Sequence, residues 1–151
     1  MKSQSFIVLG EPQSQGRHRT RAFVAGGRAI AQTYEAKKDK INKGNIRAQV
    51  VIQKPGPVMF TGNGKGIALN ILFYLPRPKN HYGKKGNLLP SAPADHTTKP
   101  DLDNLVKAVM DALTGICWED DKQIASQIVI KSYVDEINKV PCTLIKVMQD
   151  D

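Results

Sequence analysis

A chain of 151 residues with 40% hydrophobic and 24% charged residues is long enough for one domain with a core of its own. No apolar run nears the roughly 18 residues that a membrane span needs. Its formal net charge of +8 is unevenly laid out: residues 1–54 carry +8, residues 55–99 carry +5 and residues 100–151 carry −5. A basic front attracts a polyanion, most simply nucleic acid; the acidic back must tolerate that polyanion or hold cations beside it. The alternative is that the lysines only solvate the surface. Two cysteines, Cys117 and Cys142, have neither zinc-ligand spacing nor the density of a disulfide scaffold. They read as buried thiols in a reducing cytoplasm. The opening "MKSQSFIVLGEPQSQG" has too short an apolar run for a signal peptide.

In chain order, "SFIVLG" has the β-branched character of a first strand, ended by Gly10 and Pro12. Arg17, Arg19 and Arg21 then alternate, and Phe23, Val24 and Ile30 flank Gly26-Gly27. Period two with a central glycine pair predicts a hairpin with arginines along one face. Thr33 is placed to cap a helix with Glu35 in its first turn, continuing through "YEAKKDKINKGNIRAQVVIQK". Its apolar positions are sparse and Gly44 weakens it, so it reads as a surface helix with a basic face. "GPVMF" is expected to be short and extended, and "TGNGKG" a connector. "IALNILFYL", Ile67 to Leu75, is the clearest strand, stopped by Pro76. Residues 76–100 hold five prolines and little periodicity. A connection this long is usually functional or disordered, and its lysines favour a loop that orders on a ligand. Leu102, Leu105, Val106, Val109 and Leu113 fall on one helical stripe, between Pro100 and Gly115. "QIASQIVIKSYV" and "CTLIKVM" read as the last two strands, joined by a turn at "DEINKVP". The order predicts a single α+β domain over 1–151, a mixed β-sheet with two main helices and a long basic loop at about 76–100.

The acids are concentrated in "KPDLDNLVKAVMDALTGICWEDDKQI", residues 99–124. An aspartate at a helix start caps free N–H groups and complements the dipole, which alone accounts for Asp101. Asp103 follows in the first turn, and two carboxylates this close need a compensating cation. Lys107 stands at i+4 from Asp103, one turn away on the same face; a surface ion pair is the plain reading. Asp111 continues that line, and equally reads as a solvated or structural acid. Glu119, Asp120 and Asp121 lie between this helix and the next strand. If the chain returns along the helix, these acids meet Asp101 and Asp103. Three or four carboxylates around one point make an oxygen-only site suited to Mg²⁺ or Mn²⁺. Such an ion acts on a phosphodiester and screens the acids from DNA. An EF-hand loop fails, because positions 5 and 6 from Asp101 are Leu105 and Val106. A phosphatase-type aspartate nucleophile follows a hydrophobic strand, whereas "HTTKP" precedes Asp101.

The stretch 99–124 closely resembles the signature of the RusA family of Holliday-junction resolvases, small endonucleases of bacteria and prophages. The resemblance extends to "GEPQSQGRHR", to the apolar strand leading into "RPKNHYG", and to the strand after "EDDKQI". It implies a RusA-like fold and a homodimeric, Mg²⁺-dependent nuclease that cuts branched DNA in recombination and repair. Carried onto this chain, the implied metal ligands are Asp101, Asp103 and Asp121, with Asp120 as partner or substitute for the last. Lys107 matches a family lysine that neutralises the acids or stabilises phosphorane charge. Asn104 belongs to the motif with a local role.

Arg17, Arg19, Arg21, Lys79, Lys84, Lys85 and Lys99 are the expected DNA contacts, through phosphates. His96, five residues before Asp101, reads as a surface residue, or as a DNA contact or proton relay. Trp118 reads as core rather than as a wedge into DNA. Phe23, Tyr34 and Tyr82 lie near basic residues, as stacking residues do, and as packing residues do also. Three functions follow: a four-way-junction endonuclease; a non-catalytic DNA-binding protein of phage origin; or a nuclease for other branched DNA or RNA.

Overall fold

Alternation along β4 (Ile67–Leu75) sets the architecture. Ile67, Leu69, Ile71, Phe73 and Leu75 are all buried, while the residues between them are half-buried. One face of the strand therefore belongs to a core and the other does not. In the computed structural model, which describes residues 1–54, 56 and 60–151, β4 lies in a four-stranded sheet of order β1-β6-β4-β5. β6 (Cys142–Gln149) runs antiparallel on one side of β4, and β1 (Lys2–Leu9) runs antiparallel to β6. β5 (Ile124–Tyr133) runs parallel to β4 on the other side. A parallel neighbour needs a crossover. Residues 76–123 supply it, through α2 (Leu102–Leu113).

Two helices cover one face of the sheet. α2 buries Leu105, Val106, Val109, Ala112 and Leu113, which is most of the predicted stripe. Leu102 departs from it and stays 37% exposed. α1 (Lys37–Gln53) contributes Ile46 and Val50. Trp118, fully buried, closes the core from the segment after α2, and its Nε1 donates to Thr114 Oγ1 at 3.2 Å. Removing a buried ring of this size typically costs about 3–5 kcal/mol. Cys117 and Cys142 are free and buried; burial pushes the Cys117 thiol up to about 11.

The predicted hairpin is present as a separate two-stranded sheet, β2 (Arg19–Ala25) with β3 (Arg28–Tyr34). Gly26 and Gly27 turn it with φ of 58° and 74°, the left-handed pair that a two-residue hairpin turn requires. The helix start expected at Thr33 is corrected. Thr33 and Tyr34 pair with Thr20 and Arg19 in the hairpin, and α1 begins at Lys37 with no side-chain cap. Strand pairing has overridden the local capping signal. The extended stretch expected at GPVMF falls largely on residues 57–59, outside the described residues.

The long connection is ordered. A 3₁₀ turn spans Lys79–His81, Tyr82 bridges Leu88, and Asp95 bridges Ser132 on β5. Arg77 donates to the carbonyls of Val134 (2.7 Å) and Pro93 (2.6 Å). The Tyr133 ring is flanked by Arg77, His81 and His96. These ties hold the loop against the end of β5.

Candidate active site

α2 fixes the first carboxylates by its own geometry. Asp101 is the N-cap residue, yet its side chain makes no capping hydrogen bond. Capping therefore does not account for it. Its carbonyl accepts from Leu105 N, while the residue itself is exposed. Asp103 Oδ1 accepts from Asn104 N at 2.9 Å. The segment before them is held by Lys131 on β5, whose Nζ donates to the carbonyls of Thr98 and Pro100, both at 2.7 Å. An ammonium bonded to two backbone carbonyls sets where α2 begins.

A groove of about 830 Å³ runs between α2 and β5. Leu102, Asp103, Val106, Lys107, Met110 and Asp111 line it from the helix, Gln127 and Val129 from the strand, and Asp121 from the connection. Asp103, Lys107 and Asp111 are spaced at i, i+4 and i+8, so they form one acid–base–acid row. Asp121 and Asp120 differ sharply. Asp120 caps the 3₁₀ turn Asp121–Gln123, accepting from Lys122 N at 3.0 Å, and its other oxygen pairs with Lys122 Nζ at 3.1 Å. Those bonds hold its carboxyl below the usual range. Asp121 is exposed and faces the groove.

Asp103, Asp111 and Asp121 share a groove, with Asp101 and Asp120 outside its lining, and the acids do not meet at a point. Asp121 precedes β5, whereas Lys131, which reaches the residue before Asp101, lies seven residues beyond Ile124. At 3.2–3.4 Å per residue these ends of the strand are about 23 Å apart. Among the described residues, no three of His, Cys, Asp and Glu are close enough to hold one metal ion. The donor chemistry still fits a hard cation: all the candidate ligands are carboxylates, and Mg²⁺ commonly takes one or two of these plus phosphate oxygens and water.

The expected DNA contacts are all exposed. Arg17 leads into the hairpin, Arg19 and Arg21 are on β2, and Lys79, Lys84 and Lys85 are on the long loop. Lys99 stands two residues before Asp101. None of the three arginines has an acidic partner among the described residues. His96 differs from its surface reading: it is 7% exposed, lies against Tyr133, and its Nδ1 has no partner. Burial, then the Lys131 charge, pulls its pKa down. Lys131 and Arg77 were not singled out by the sequence. Each acts on backbone carbonyls distant in the chain, and no local pattern encodes that.

Two comparisons bear on this arrangement. The chain is 33% identical over 139 residues to the uncharacterized protein YqaN of Bacillus subtilis (strain 168), covering 87% of this chain and 88% of that protein. Residues 10–145 match the family Endodeoxyribonuclease RusA. That span takes in the hairpin, both helices, the acidic row and most of the sheet, and the chain belongs to the RusA endodeoxyribonuclease family.

Proposed function

We propose that this protein is a Mg²⁺-dependent endonuclease that resolves four-way DNA junctions by phosphodiester hydrolysis, serving recombination and repair in the cytoplasm. The observation that carries this reading is the row of Asp103, Lys107, Asp111 and Asp121 in one groove, beside an Asp101 that caps nothing. Asp101 and Asp103 would hold the metal together with phosphate oxygens and water; Asp121, toward the other end of the groove, stands apart from that ion, and Asp120 is committed to its own turn. Mn²⁺ suits the same oxygens. When bound, such an ion polarises a phosphodiester and lowers the pKa of a water at its side. Lys107, one turn from Asp103, offsets negative charge developing on the phosphate oxygens. The basic loop and hairpin hold the flanking backbone.

A homodimer belongs to the same proposal. A four-way junction presents paired, symmetric phosphates, and a two-fold dimer offers one site to each. Over Ala125–Ile130, no described residue hydrogen-bonds to the outer side of β5. On the uncovered face, Ile7, Leu144, Leu72 and Ile130 stand in register across all four strands. Ile7 and Ile130 are 51% and 48% exposed, an apolar row of the kind that marks an interface.

The test sets four-way junctions, flaps, linear duplex and RNA side by side. Junctions should be cut in symmetric pairs with Mg²⁺ and left whole in EDTA. Asp103→Asn should lower the cutting rate by roughly a thousandfold while leaving junction affinity unchanged. Equal cutting of all substrates, cutting in EDTA, or full activity of the variant would overturn the reading. Junction binding with no metal-dependent product would instead point to a non-catalytic DNA-binding protein.

A further inference from the structure

The β2–β3 hairpin is an arm with no cover. Every residue of both strands is exposed, and an isolated two-stranded ribbon is marginal in water. Its two faces differ. Directly opposed residues share a face, so the register puts Arg19, Arg21, Phe23 and Ala25 with Tyr34, Gln32, Ile30 and Arg28. The other face carries Thr20, Ala22, Val24, Ala29, Ala31 and Thr33, all small or medium. The first face therefore combines three arginines with Phe23, Ile30 and Tyr34, which are 38%, 42% and 44% exposed. The Arg21 guanidinium lies over the Phe23 ring at 6.0 Å. No acid occurs between residues 19 and 34.

The root of this arm ties it to the acids. Gln15 N donates to the carbonyl of Asn104, in the first turn of α2, at 3.1 Å, and Gly16 N donates to Asp39 Oδ2. Whatever the ribbon grips is thus led toward Asp101 and Asp103. Phe23 and Ile30 face each other four residues beyond Arg19, about 13 Å out along the strand. Arginines suit phosphates, but a phosphate backbone gives an aromatic–aliphatic pair nothing apolar to meet. Exposed base faces do, and DNA presents them where stacking is interrupted.

We propose that the β2–β3 ribbon is a branch-sensing arm: Arg19, Arg21 and Arg28 grip phosphates while the Phe23–Ile30 pair packs on base faces left unstacked at a DNA branch point. This rests on the reading of the protein as a branched-DNA nuclease, and it locates the selectivity for branches in the arm rather than in the carboxylates.

The test measures binding without cleavage. Full-length protein is titrated in EDTA with a four-way junction carrying 2-aminopurine beside the crossover, and with a linear duplex of the same sequence. Phe23→Ala/Ile30→Ala should weaken junction binding roughly five- to hundredfold, leave duplex binding unchanged, and abolish the rise in 2-aminopurine fluorescence seen with the wild type. Phe23→Leu/Ile30→Val, which keeps apolar strand residues, should retain the fold and lose part of the signal. Arg21→Ala should weaken both substrates alike and shallow the salt dependence by about one unit. An equal loss on both substrates with the apolar pair removed would overturn the proposal in favour of groove binding. Unchanged DNA binding with altered self-association would overturn it in favour of a protein interface. Cutting is scored separately with Mg²⁺ added: a junction bound and unstacked in EDTA but never cleaved with Mg²⁺ would sink the nuclease reading and leave the arm standing.

Discussion

The two edges of the main sheet are treated in opposite ways. β1 is sealed by α1. Gln53 accepts from Ile7 N at 2.9 Å and donates to Ile7 O at 2.7 Å, and Gln49 does the same for Leu9 at 2.8 and 3.0 Å. Two side-chain amides thus stand where a neighbouring strand's backbone would. Unpaired strand edges recruit other chains, and this one is closed. β5 is covered only at its far end, where Tyr133 N and His96 N bond across to Ala94 O and Lys131 O. Over Ala125–Ile130 its outer side carries no such cover among the described residues, and Ile128 is 61% exposed. That edge also borders the groove holding Asp103 and Asp121.

The largest expected effect comes from charging the open edge. Ile128→Lys/Ile130→Lys should remove about 3–6 kcal/mol of self-association for each position, since a two-fold interface loses each burial twice. Light scattering should then report monomer where the wild type reports dimer; a wild type already monomeric at working concentration would break the comparison. Unsealing the other edge is the next step down. Gln49→Ala/Gln53→Ala removes four hydrogen bonds to β1 and should cost about 2–4 kcal/mol, read from the urea midpoint, with aggregation setting in at lower protein concentration. An unchanged midpoint would mean the amides only decorate the edge. Lys131→Met, at the covered end of β5, should cost about 2 kcal/mol and raise the Mg²⁺ concentration needed for half-maximal cutting, because Asp101 loses its anchor. Loss of stability with an unaltered Mg²⁺ requirement would limit Lys131 to a structural part.

The smallest effect is that of pH on His96. Its folded-state pKa lies below 6.5, so protonation favours the unfolded chain and stability falls as pH drops through and below the unfolded value. His96→Gln should flatten that fall in acid melts. An identical pH profile in the variant would assign the effect to other groups.

Legibility followed the range of the interaction. β4 and the stripe of α2 repeat within a few residues, so period two and period 3.6 show them directly. The hairpin was legible for the same reason, and its glycine turn marked the centre. The start of α1 was misplaced because Thr33 offers a good local cap, but cross-strand pairing with Thr20 outweighs it. The acids were found by type and spacing, and Asp103 and Asp121 do line one groove. Their arrangement along its length depends on which end of β5 each connection reaches, and spacing alone carries no such information. The glutamine seal shows the same limit: nothing around Gln49 or Gln53 says that their partners lie forty or more residues away.

By itself, the sequence determined the main strands, the stripe of α2, the basic arm and the stretch in which the carboxylates concentrate, because periodicity, turn chemistry and side-chain charge are properties of neighbouring residues. Only the tertiary structure decided that Asp120 is spent on its own turn while Asp121 is open, that Lys131 sets the start of α2, and that one sheet edge is closed and the other free. Those outcomes rest on hydrogen bonds between segments that meet only when β4 and β5 align in parallel, and that alignment is imposed by burying the shared core.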